Sequence, residues 1–179
     1  MTFETERLIL RPWQEGEEIY VYEYCKEEEL ASPTGFPVHT SVENSAEIMK
    51  VALMGPETYA VVLKETGIPI GNISLMQDSN CANGPTEGEL GYWLGKAYWG
   101  NGYIPEAGER LLKYAFEEKG IEKMWCAYYE GNEKSKRSQE KMGFKFERFD
   151  ENVEVKLLGV KRNSFVQSLT KEEWEKRHD

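Results

Sequence analysis

The sequence predicts an α+β fold, a largely antiparallel sheet with helices on its faces, as a single domain over residues 1–179. Three observations carry that expectation. Two β-rich runs, YAVVLKE and IPIGNISL, are divided only by Thr66-Gly67, a hairpin signal. A helical segment separates the strand-like runs EGELGYWL and IEKMWCAYY, and such a crossover implies that those two strands run parallel. Three further strand-like runs follow a short helix in the C-terminal third.

Each element has its own signal. Residues 6–11, ERLILR, read as a short strand. From Glu15 to Glu28 the chain is mostly polar, with Ile19, Tyr22 and Tyr24 or Cys25 at near-helical spacing. SPTGFP, residues 32–37, holds two prolines and reads as a loop. Ser41 or Thr40 is placed to cap a second helix running to about Leu53, with Val42, Ala46, Met49 and Leu53 on one face. After the hairpin, QDSNCANGPT is a loop by composition, and EGELGYWL is the third strand of that group. A helix from Tyr103 to about Lys119 carries Ile104, Ala107, Leu111 and Ala115 at spacings of three and four, and Gly120 stops it. IEKMWCAYY is a strand. NEKSKRSQEKM is a short helix that Asn132 caps and Gly143 ends. GFKFERF, NVEVKLL and RNSFVQSL read as three strands before a charged tail. No internal repeat, low-complexity tract or long linker divides the chain.

Composition narrows the function. The net charge is −10, so nucleic acid is a poor partner, since phosphate binding needs a basic face. A cationic or amine-bearing substrate suits an acidic surface, and the same charge also serves solubility alone. No run reaches the roughly 18 apolar residues of a membrane helix. MTFETERL lacks a basic segment followed by an apolar run, so no secretory signal is expected. Cys25, Cys81 and Cys126 lie far apart in no metal-ligand spacing, which suits reduced thiols in a cytoplasmic protein. With only His39 and His178, a histidine-rich metal site is not expected.

The segment WGNGYIPEAG, residues 99–108, points to a ligand. Pro105 fits only a helix's first turn, which places the helix start near Tyr103. N–H groups there have no partner inside the helix, and together with the helix dipole they favour an anion. Gly100 and Gly102 would let that anion reach the backbone. A tight turn would use the same glycines. The run is neither a Rossmann fingerprint, since residue 105 is proline, nor a P-loop, since no Gly-Lys-Ser/Thr follows. In NEKSKRSQEKMGF, the helix face through Asn132, Ser135, Ser138 or Gln139, and Met142 is nearly all polar. Either that helix is solvated or its inward face lines a polar site.

Together these residues resemble the GCN5-related N-acetyltransferases (GNAT), and more narrowly the branch that acetylates the N-terminal amine of ribosomal proteins. Four segments carry the match: TERLILRPW, GELGYWLGKAYWGNGYIPEA, GNEKSKRSQEKMGF and SFVQSLTKEEW. The resemblance implies a mixed sheet with a splayed parallel strand pair, EGELGYWL and IEKMWCAYY, and acetyl-coenzyme A (acetyl-CoA) as acyl donor, with no metal. It implies that Trp99, Gly100, Asn101, Gly102, Tyr103 and Ile104 form the pyrophosphate loop. Main-chain groups of Tyr92, Trp93 and Leu94 would meet the pantetheine arm, as an added strand meets a sheet edge. Asn132 matches the asparagine near the pantetheine, and Ser135 the serine near the thioester sulfur. A dimer through the late strands is a family-level expectation. Ala97 stands where the common signature has Gln or Arg, and Ser138 replaces a usually apolar residue.

The implied reaction is direct attack of a primary amine, such as a protein N-terminal α-amine, on acetyl-CoA in a ternary complex. It needs a base for the amine, donors for the oxyanion, and a proton donor near the leaving thiolate. Glu89 is the candidate base, on the strand face it shares with Gly91 and Trp93. A solvent-facing or lysine-paired glutamate would look the same. Ser135 is the candidate donor to the sulfur, and a capping serine would look the same. Tyr128 and Tyr129 are alternative donors, and His39 is a loop residue that could face the acceptor. A non-catalytic acyl-CoA binding or sensing module on the same fold is the alternative function.

Overall fold

The computed structural model describes residues 1–178. The chain divides into two compact units. The first takes Met1–Ser74 and Tyr92–Ala107; the second takes Leu75–Gly91 and the chain from Gly108 onward. Strands β4 (Ile68–Met76) and β5 (Glu87–Leu94) and helix α4 (Tyr103–Glu117) each begin in one unit and end in the other.

In the first unit the strands run β1-β2-β3-β4, all antiparallel, with β1 at Phe3–Glu4, β2 at Leu8–Arg11 and β3 at Thr58–Leu63. Three helices connect β2 to β3: α1 (Glu18–Cys25), α2 (Glu28–Thr34) and α3 (Val42–Ala52). Their inward residues Val21, Cys25, Leu30, Met49 and Leu53 meet Ala60, Val62, Trp13 and Trp93 in one apolar cluster. Trp13 stacks on Trp93 with ring centroids 6.0 Å apart. The Trp13 indole N–H donates to Asn72 Oδ1 at 2.9 Å, which satisfies a buried amide oxygen.

Two expectations in this stretch are corrected. The buried positions of α1 are Val21 and Cys25, one turn apart, while Ile19 is 47% exposed. The segment read as a loop from Ser32 is helical to Thr34, with Pro33 in the last turn of α2. A seven-residue helix makes few ladder bonds, so a missing N–H near its end removes little. Gly35, at φ 85°, then ends the helix in the left-handed conformation. Ser41 caps α3 by accepting from the Asn44 N–H. His39 is buried, with Nδ1 2.8 Å from Ser45 Oγ and its main-chain amide on the Cys25 carbonyl. Burial lowers its pKa and keeps the ring neutral.

In the second unit the strands run β5-β6-β8-β7, with β6 at Lys123–Tyr129, β7 at Lys145–Val155 and β8 at Val160–Thr170. Glu87–Glu89 pair in parallel with Lys123–Trp125, as the crossover helix requires, and the other pairs are antiparallel. GFKFERF and NVEVKLL belong to one strand, β7, instead of two. Its ladder breaks at Phe146/Arg148 and Asp150/Val153, with Asn152 at φ 55°. Such bulges insert residues without ending the pairing. Ile104, Ala107, Leu111 and Ala115 of α4 are all buried, as their spacing predicts. A methyl group on Gly108 would fall on the Met142 sulfur, so that glycine allows a close approach to the end of α5 (Glu133–Lys141). The charged tail begins as a helix, α6 (Lys171–Glu175), closed by a Thr170/Glu173 capping box and anchored by buried Trp174. Among the described residues no helix is long and apolar enough to cross a membrane.

Candidate active site

The residues singled out from the sequence fall in both units and are taken one unit at a time. In the first, a single 3-10 turn, Lys96–Tyr98, follows β5, and the Gly-x-Gly loop follows that turn. Gly100 and Gly102 both have φ 79°. A Cβ on Gly100 would meet nothing, and one on Gly102 only Arg7 Nη2 at 3.7 Å. Backbone conformation, not crowding within the protein, is therefore what calls for glycine. The Asn101 side chain donates through Nδ2 to the carbonyls of Tyr98 and Trp99, each at 3.1 Å, and holds the loop in its turn. Among the described residues, no main-chain N–H from Gly100 to Ile104 donates a hydrogen bond. Five successive donors at the N-terminus of a fifteen-residue helix fit the diphosphate of a coenzyme A ester.

The N-terminal segment braces this loop. The Glu106 carboxylate accepts from Thr5 Oγ1 at 2.5 Å, the Arg7 amide at 2.9 Å and Arg7 Nε at 2.7 Å. Arg7 Nη1 reaches the Asn101 carbonyl at 3.0 Å, and the guanidinium lies 4.5 Å from the centre of the Tyr103 ring. Burial alone would raise the Glu106 pKa; the hydrogen bonds from Thr5 and Arg7 outweigh it and lower the pKa. Sequence reading missed this brace, because its partners lie 94 to 101 residues apart with no local signal. Of the strand residues expected to meet pantetheine, Leu94 already accepts from the Trp99 indole at 2.7 Å. The side chain of Trp93 is buried in the core cluster, and Tyr92 is partly exposed.

In the second unit Glu89 is partly exposed on β5, opposite Trp125. Among the described residues no ion pair or hydrogen bond holds its carboxylate, so of the two alternatives to a base, lysine pairing is absent and partial exposure remains. Trp125 carries two cations over its ring, Lys123 Nζ at 4.0 Å and the Arg148 guanidinium at 5.3 Å from the centroid. Burial, followed by the charge of Glu89, pushes the Cys81 thiol up to about 11. Burial and Glu89 likewise hold Cys126 well above its ordinary value, and burial raises Cys25 to about 12. All three thiols are protonated at neutral pH and are poor nucleophiles. Tyr128 is buried and stacked on Phe165 with centroids 5.2 Å apart, a packing role.

Asn132 caps α5, its Oδ1 accepting from the Ser135 N–H at 3.2 Å. On the polar face of α5 Asn132 and Ser135 are partly exposed, while Gln139 is 0% exposed and donates through Nε2 to Ser135 Oγ and to the Ala127 carbonyl. Of the two readings open at the sequence, solvation is excluded for that position. No cluster of three or more His, Cys, Asp or Glu side chains suited to a metal occurs among the described residues.

A family model described as an acetyltransferase (GNAT) domain matches residues 7–145. The chain is 36% identical over 87 residues to the Bacillus subtilis protein named "Putative ribosomal N-acetyltransferase YdaF", a stretch covering 49% of this chain and 47% of that protein. The chain spans about half the length of such curated relatives. Among solved structures it is similar to a GNAT-family acetyltransferase from Bacillus anthracis, with a TM-score of 0.84 at 22% identity, covering 97% of this chain and 100% of that one. It is also similar to the ribosomal-protein-S5-alanine acetyltransferase from Vibrio fischeri, with a TM-score of 0.70 at 20% identity, covering 97% and 98%. Identities this low carry the fold.

Proposed function

The chain belongs to the GNAT acetyltransferase family, and from that premise we propose that it moves the acetyl group of acetyl-CoA to a primary amine by direct attack in a ternary complex. One observation carries the reading: the run of main-chain N–H groups from Gly100 to Ile104, at the start of α4, that have no acceptor among the described residues. In this reading Trp99–Ile104 hold the diphosphate. The main chain of Tyr92, Trp93 and Leu94 holds the pantetheine arm with Asn132, and Glu89 takes the amine's proton, through water. Acetyl-CoA supplies the thioester. The amine nitrogen bonds to its carbonyl carbon, the C–S bond breaks, and the electron pair leaves on sulfur. Ser135 donates a hydrogen bond to that sulfur as its charge develops. The raised thiol pKa values support direct attack over an acetyl-cysteine intermediate.

The acceptor class favoured is a peptide α-amine, in keeping with the name of the Bacillus subtilis relative. The reading is tested by calorimetry with acetyl-CoA on wild type and Gly102→Asp. At φ 79° an aspartate is strained and its carboxylate opposes a diphosphate, so binding is expected to vanish. Unchanged affinity would remove the loop from the site. Release of free coenzyme A with an alanine-initiated peptide and with spermine separates an enzyme from a sensing module, which binds the ester and releases none.

A further inference from the structure

Helix α5 holds a side chain that the reaction above leaves without a role. Gln139 is fully buried, where a leucine of similar size would leave no polar atom to satisfy. Its Nε2 donates to the Ala127 carbonyl and to Ser135 Oγ, both at 3.1 Å. Its Oε1 has no hydrogen-bond partner among the described residues. An orphaned buried carbonyl is unfavourable, so what the amide gains lies at its other end.

Chemistry fixes the orientation of that amide. A backbone carbonyl only accepts, so the NH2 group must face Ala127. An amide nitrogen only donates, so Ser135 Oγ must accept from it, and the hydroxyl hydrogen is turned away from Gln139. The sheet explains why Ala127 needs a donor. The Glu130 N–H donates to Asn163 and the Lys171 N–H to Glu122, at the two ends of the β6–β8 pair. Antiparallel alternation then turns even-numbered residues of β6 toward β8 and odd-numbered ones toward β5. Parallel pairing with β5 ends at Glu89–Trp125. The Ala127 carbonyl, two residues on, faces a strand that has already parted, and Gln139 replaces the lost rung. Opposite it, the Leu90 carbonyl takes the Cys126 thiol at 3.2 Å in place of an N–H.

We infer that Gln139 is a positioning residue for acetyl transfer, bridging the Ala127 carbonyl to Ser135 so that the serine hydroxyl offers its hydrogen to the departing sulfur. The inference rests on the reading of Ser135 given above. It is tested with Gln139→Met, which keeps the volume and removes the amide, alone and combined with Ser135→Ala. Acetyl-CoA affinity by calorimetry is expected to stay within about twofold of wild type, while single-turnover transfer to an alanine-initiated peptide or spermine slows about tenfold. The double variant is expected to be no slower than Ser135→Ala, because both changes remove one interaction. A purely structural glutamine would slow the Ser135→Ala background by the same factor again, and that result overturns the inference, as does an unchanged rate. Should Gln139→Met fail to fold, Gln139→Asn, one methylene short of Ser135, is expected to show the same slowing, and wild-type speed in it overturns the inference. A wild type that binds no acetyl-CoA overturns the acetyltransferase reading itself and this inference with it. A wild type that transfers normally beside a fast Gln139 variant overturns this inference alone.

Discussion

Among the described residues no side chain pairs with Glu89 on β5, two residues before the strand passes from one unit to the other, and its charge is felt by Cys81, Cys126 and Tyr129. A carboxylate that holds nothing in place is dispensable for folding, which makes it a clean target. Glu89→Gln is expected to lower transfer about 100-fold, with melting temperature and acetyl-CoA affinity unaltered. A variant that turns over as fast as wild type removes Glu89 as the base. At this scale the sequence was informative where a residue's role is local. Gly100 and Gly102, Asn132 as a cap, and the alternation that sets Glu89 apart from Leu90 could all be read from neighbours along the chain. The burial of Gln139 was only half legible, since spacing offered Ser138 or Gln139 on the inward face and left open whether that face was solvated.

Among the elements, the brace on α4 and the cap on α6 make separable predictions. The folded Glu106 pKa lies below its ordinary value, so the brace stabilises the protein above about pH 4.3 and is lost as pH falls through the lowered folded value. Glu106→Gln is therefore expected to cost about 1 kcal/mol at pH 7 in denaturant melts, with the gap to wild type closing in acid. Equal gaps at both pH values would exclude the carboxylate as the source. In α6, Glu173 is pushed down to about 2, first by its hydrogen bond from Lys145 and then by the Thr170 amide. Thr170→Ala is expected to cost about 1 kcal/mol, or about 2–4 °C by calorimetry, and no shift would show the capping box idle. That helix was legible in principle: Thr170 followed by Glu173 and an aromatic residue is a capping box, overlooked inside a run that reads as a charged tail. The brace was not legible, because it joins Thr5 and Arg7 to Glu106 through space alone. The splitting of β7 into two expected strands had a third cause: bulges interrupt the alternation that marks a strand while leaving the ladder whole.

For the molecule as a whole, a net charge of −10 acts on both partners of the proposed reaction. It repels a polyanionic donor at long range and attracts a cationic amine, and salt screens both effects. Raising ionic strength from about 0.05 to about 0.3 M is expected to speed acetyl-CoA association by about two- to threefold and to slow capture of spermine by a similar factor. Stopped-flow fluorescence reads the first rate and initial-rate assays the second; rates that moved together would show that the local loop, not the overall charge, governs encounter. Fold class was the most legible feature at this scale, since the hairpin signal and the crossover helix each demand one kind of pairing. The two breaks in β7 bear on the protein's behaviour in crowded solution. An eleven-residue margin of unpaired amides and carbonyls would template any extended polypeptide that drifted past, and regular pleating would let such additions repeat. Kinked at Phe146/Arg148 and again at Asp150/Val153, that margin offers a newcomer only short stretches in phase, which guards the chain against fibril growth.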